Sequence, residues 1–192
     1  MAGELQLGGS TVATHTGSGA SAVVTIDNGV KFPSGHIIQT VTAQYVIPSA
    51  ITITTTEDDY LGSNLQCTIT PTANGNKLYI QAFIEGVYNH ATYGRGLHAG
   101  FAYDTDFSSS NGTIIGPRSV ISSYTSYINQ NHQVLDNSHY FIVVTVGTQA
   151  PSAGSASIIR PRFKAQNGDV QIGANTSAGY GVCSMMVMEI QA

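Results

Sequence analysis

The sequence predicts an all-β fold, an antiparallel sandwich or barrel preceded by an extended N-terminal arm. Three observations lead there. From residue 36 onward, apolar runs of strand length alternate with turn signals at a spacing of about ten residues, the rhythm of sandwiches and barrels. No stretch keeps helical periodicity between capping residues. Only 9% of the residues are charged, against about 25% in an average globular protein, so Ser, Thr, Asn and Gln must cover most of the surface.

Residues 1–35 form the arm. Segment 5–22 is small, polar and glycine-rich, and alone it cannot bury enough surface to offset the entropy of ordering. One strand-like run, 22–26, lies within it and meets the turn signal Asp27-Asn28-Gly29. The arm is expected to order by docking onto another protein. Residues 36–192 form the β domain. Run 37–47 ends at Pro48, 51–56 alternates apolar and polar residues, and 65–69 ends before Pro71. The turn 73–76 then leads into 77–88.

In that run Leu78, Ile80, Ala82 and Ile84 share one face, while Tyr79, Gln81, Phe83 and Glu85 share the other. A strand so apolar on both sides is expected to meet a second sheet on one face and another subunit on the other. Further strands are expected over 96–103, 120–127, 140–146, 157–165 and 170–173. The closing run from 181 is apolar enough to require burial, since an exposed edge of that kind invites aggregation.

Composition excludes several classes. Apolar residues at 42% and a net charge of only −4 do not fit disorder. Seven Lys and Arg residues in an acidic chain leave no electrostatic footprint for nucleic acid. No run approaches the ~20 consecutive apolar residues of a helical membrane span, so membrane insertion is not expected. The N-terminus lacks the basic and apolar regions of a signal peptide, which suggests assembly in a cytoplasm. Cys67 and Cys183 sit in apolar strand patterns and read as buried reduced thiols.

Catalytic signatures are missing. There is no nucleophile elbow, phosphate-binding loop, dinucleotide fingerprint or HExxH motif. Asp104 and Asp106, near Ser108 and Asn111, offer oxygen ligands, but Ser109 stands where a calcium-binding EF-hand needs glycine, and a solvated loop is the plainer reading. The six histidines lack ligand spacing. No enzyme activity, cofactor or metal is therefore expected.

Arg160, Arg162 and Lys164 fall on one face of 157–165, with Pro161 between them. They read either as guards of a sheet edge or as a basic stripe for acidic sugars or a neighbouring subunit. Loops bearing Tyr93 and Arg95, and Tyr124, Tyr127 and His132, combine aromatic rings with Ser, Asn and Gly. Such loops suit sugar or protein surfaces, and these five residues are the receptor-binding candidates.

Three segments carry a family resemblance: 30–41 (VKFPSGHIIQTV), 69–80 (ITPTANGNKLYI) and 185–192 (MMVMEIQA). They resemble a domain of tail-fibre and appendage proteins of marine and cyanobacterial tailed phages, and the likeness spans roughly residues 22–192. It rests on strand-and-turn patterns. It implies a homotrimer with a jelly-roll-like knob, resident in the virion and assembled in the host bacterial cytoplasm, without enzyme activity. Family members often follow a long shaft, whereas about 35 residues precede the knob here. The combined expectation is a short trimeric tail fibre, attached by residues 1–35 to other virion proteins and contacting host polysaccharide or protein through its knob. The alternative is a capsid decoration or head-fibre protein that uses the same arm.

Overall fold

A computed structural model describes residues 3–7, 10–16, 23–26, 33–56, 61–89, 96–108, 111–123, 134–165, 170–172 and 181–192. The chain divides into two compact units, Met1–His36 and Ile37–Ala192. In the first, β1 (Gly3–Leu7), β2 (Ser10–Thr16) and β3 (Val23–Ile26) form an antiparallel meander in that order. The sequence marked one strand here, over 22–26. Two more form; in β2, Thr11, Thr14 and Thr16 are β-branched, which strands favour.

The second unit is all-β. Its strands are β4 (Ile37–Ile47), β5 (Ile51–Ile53), β6 (Cys67–Ile69), β7 (Lys77–Asn89), β8 (Gly96–Asp104), β9 (Thr113–Ser123), β10 (Val134–Thr145), β11 (Ser157–Ala165), β12 (Val170–Ile172) and β13 (Gly181–Ile190). A single 3₁₀ turn, Gly62–Asn64, is the one helical element among the described residues. The larger sheet runs β4-β13-β7-β12-β5, with β10 on the other edge of β7. The smaller runs β6-β11-β8-β9, and every strand pairing in both is antiparallel.

Inner faces of the two sheets share one core. Leu78, Ile80 and Ile84 of β7, and Cys183, Met185 and Val187 of β13, meet Phe101 of β8 and Ile159 and Phe163 of β11. This antiparallel sandwich is the predicted fold. The alternation read in 77–88 is the observed one, with Leu78, Ile80, Ala82 and Ile84 buried in the core. The closing strand is buried as expected, because β13 lies between β4 and β7.

Two boundaries move. β9 begins at Thr113, well before the expected 120, and residues 124–127 lie outside those described. Gly116-Pro117 looks like a turn in the sequence. Here Gly116 takes φ +60° at an irregularity in the β8 register, and the strand continues past it. β10 likewise begins at Val134 because the polar stretch Asp136–Ser138 is a bulge against β7.

Pro161 sits on β11 beyond the reach of β6, which pairs only with Ser157–Ile159, so its missing N–H faces an unpaired half-edge. Cys67 and Cys183 are unpaired buried thiols, and burial pushes each up to about 11.

The final strand is fastened by Glu189, which is fully buried. Its Oε1 accepts hydrogen bonds from Thr72 N–H (2.8 Å), Thr72 Oγ1 (2.8 Å) and Asn76 Nδ2 (2.7 Å), while Oε2 accepts one from Gln39 Nε2 (2.6 Å). Burial alone pushes this carboxyl up. The donors from Asn76, Gln39 and Thr72 outweigh it and hold the group below its ordinary value. All of these donors are neutral, so the charge is held by oriented dipoles alone.

Candidate functional site

The outward face of the larger sheet is the broadest candidate surface. Register sets its rows. Phe141 (β10), Gln81 (β7), Met186 (β13) and Thr42 (β4) lie side by side, and Val143, Tyr79, Met188 and Thr40 form the next row. Neither row contains a charge. Phe141 is 61% exposed, Val143 54% and Val46, on the same face of β4, 55%. Large apolar side chains on a sheet face are seldom left in water in such numbers unless something covers them.

The aromatic groups on this face are ordered. Tyr79 stacks on Phe141 with ring centroids 5.8 Å apart, and Phe83 meets His139 edge-on at 4.8 Å. The Tyr79 hydroxyl is 2.9 Å from Gln81 Oε1 and donates to it. Beside them a groove of about 480 Å³ runs across β4, β13 and β7, walled by Thr42, Gln44, Phe83, Ser184 and Met186. The Phe83–Gln81 side of β7 thus faces outward, as the sequence indicated.

Of the three basic residues read as edge guards or as a basic stripe, Arg160 and Arg162 are covered. Arg162 is only 3% exposed, its Nη1 donates to the Asn111 carbonyl, and its Nε has no partner. The Arg160 guanidinium lies 4.3 Å above the Phe107 ring, and its Nε donates to Gln66 Oε1 at 2.9 Å. The loop after β8 therefore lies over this face of β11. Phe107, at φ +54°, gives no polar sequence signal for that cover.

Within the loop, Asp104 Oδ1 accepts the Thr105 N–H at 2.6 Å, and Asp106 Oδ1 accepts the N–H and hydroxyl of Ser108 at 2.9 and 2.8 Å. The two carboxylates weighed as ion ligands thus cap their own turn. Among the described residues, no group of three or more His, Cys, Asp or Glu side chains is placed to hold a metal ion. No helix among them is long and apolar enough to cross a membrane.

The receptor-binding candidates Tyr93, Arg95, Tyr124, Tyr127 and His132 lie outside the described residues. Sequence reasoning passed over Glu189. Glu189 did carry a signal, because it continues the buried alternation of Cys183, Met185 and Val187.

No protein-family model matches the chain, and no curated protein matches it.

Proposed function

We propose that the chain is a structural virion protein of a tailed phage, a short trimeric tail fibre. Its first 35 residues attach it to other virion proteins, and its sandwich domain contacts host polysaccharide or protein. The observation that carries this reading is the outer face of the larger sheet, whose central rows carry no charge and where Phe141, Val143 and Val46 stand exposed beside Tyr79, Met186 and Met188. Burial against two further copies would remove that face from water, at about 1.5–3 kcal/mol for each large side chain fully covered.

A charge-poor all-β domain suits such a role. Three copies on one particle would raise weak individual contacts through effective concentration. The family resemblance of segments 30–41, 69–80 and 185–192 points the same way.

Capsid decoration, with the same arm bound to the head, is the second reading. Antibody-gold labelling of intact particles, read by electron microscopy, separates the two. Label at the tail supports the fibre, and label across the head supports decoration. Absence of label, with the epitope verified as accessible on the purified chain, overturns both.

A further inference from the structure

Arg162 is a buried cation without a counter-charge. It is only 3% exposed, and no carboxylate pairs with it among the described residues. Its Nη1 donates to the main-chain carbonyl of Asn111, and its Nε has no partner. Burying a guanidinium without an anionic partner is unfavourable, and an anion formed at the atom it already touches would relieve that cost.

Asn111 is followed by Gly112. A glycine has no Cβ to keep its nitrogen from the preceding asparagine Cγ, so an Asn-Gly pair closes to a succinimide more readily than other pairs. The Asn111 side chain is exposed and makes no hydrogen bond among the described residues, so it can turn toward the Gly112 nitrogen. Asn74-Gly75 is the other such pair among the described residues, and it is held. Asn74 Oδ1 accepts the Ala153 N–H at 2.9 Å, and the Gly75 N–H donates to the Val146 carbonyl at 3.1 Å. Closing a ring there would break both bonds.

We infer that Asn111 is a site of spontaneous modification, and that Arg162 directs the product to isoaspartate. The Gly112 nitrogen loses its proton and bonds to Asn111 Cγ, and Nδ2 leaves with a proton as ammonia. Water then opens the succinimide at one of its two carbonyls. Attack at Cγ gives aspartate. Attack at the main-chain carbonyl carbon breaks its bond to the Gly112 nitrogen and gives isoaspartate, with the chain continuing through Cγ.

The oxygen of that main-chain carbonyl is the one Arg162 Nη1 holds. The guanidinium therefore stabilises the negative charge that develops there as water adds. The released carboxylate keeps the same oxygen, so the product sets an anion against the buried cation. This chemistry is independent of the virion role.

The test ages the full chain in mildly alkaline buffer, folded and in denaturant, and maps its peptides by mass spectrometry. Electron-transfer fragmentation separates isoaspartate from aspartate. In the folded chain the Asn111 peptide should gain the mass difference between an amide and an acid, and the Asn74 peptide should not. In denaturant both should. The folded isoaspartate-to-aspartate ratio at Asn111 should exceed the denatured one about ten-fold or more, the scale of one aimed donor. Arg162→Met should bring the folded ratio down to the denatured value.

An Asn111 that keeps its amide in the folded chain overturns the site, and so does conversion of Asn74 at the same rate. Equal ratios in the folded and denatured parent chain overturn the role of Arg162, and this comparison needs no variant to fold. An unchanged ratio in folded Arg162→Met overturns it as well.

Discussion

Replacing Glu189 by glutamine perturbs a single oxygen, and its cost can be worked contact by contact. In Glu189→Gln the retained Oε1 still faces Thr72 N–H, Thr72 Oγ1 and Asn76 Nδ2, but as a neutral acceptor. Hydrogen bonds to charged groups contribute about 1.5–3 kcal/mol against about 1 for neutral ones, so weakening three of them costs about 2 kcal/mol. The new amide nitrogen opposes Gln39 Nε2, which also donates to the Thr70 carbonyl at 2.8 Å. Turning the Gln39 amide to accept would break that second bond, at about 1 kcal/mol.

The removed charge recovers some desolvation energy, which leaves a net loss of about 2–3 kcal/mol. With a urea slope of about 1–3 kcal/mol per molar, the unfolding midpoint should fall by about 0.7–3 M. Tyrosine fluorescence can follow the transition, since the chain has ten Tyr and no Trp.

The pH dependence carries a definite sign. The folded carboxyl is held below the ordinary 4.5, so its contribution is complete above that value and disappears as pH falls through the folded value. The parent chain should therefore lose stability below pH 4.5 by a component that Glu189→Gln lacks. Equal midpoints at neutral pH, or identical acid profiles in the two proteins, would refute the reasoning.

Cys67 and Cys183, both pushed up to about 11 by burial, should leave about one thiol in a thousand ionised at pH 8. Ellman's reagent should label neither in the native protein and both in urea, and rapid native labelling would contradict their burial. Gly112→Ala should destabilise by about 1–3 kcal/mol in thermal or urea unfolding, because φ +75° and the nearby Tyr103 carbonyl both oppose a side chain. A neutral result would mean that the loop adjusts freely. Arg162→Met should be neutral or stabilising by up to about 2 kcal/mol, since it replaces a buried guanidinium whose Nε is unpartnered. A midpoint lowered by more than about 1 M urea would show instead that the bond to Asn111 dominates.

Strands that alternate cleanly were legible in the sequence. Runs 37–47 and 157–165 match β4 and β11, and the two faces of 77–88 match the core and outer faces of β7. Bulges hid the rest. Gly116-Pro117 and Asp136–Ser138 interrupt the period-two pattern inside β9 and β10 without ending either strand. β2 was missed because its Ser and Thr residues lower the apolar signal, while the β-branched Thr keeps strand propensity; nothing in GELQL marked β1.

The charged face of β11 was legible as a set of residues but not as a covered surface. Phe107, which lies over Arg160, comes from a loop whose polar residues suggested exposure.

In the proposed function, other copies of the chain cover the outer face of the larger sheet. Native mass spectrometry at micromolar concentration tests it most directly. An assembly of three 20.1 kDa chains is expected, dispersed by Phe141→Arg, which places a charge on a face whose central rows have none. A stable monomer, or a trimer indifferent to Phe141→Arg, would contradict it.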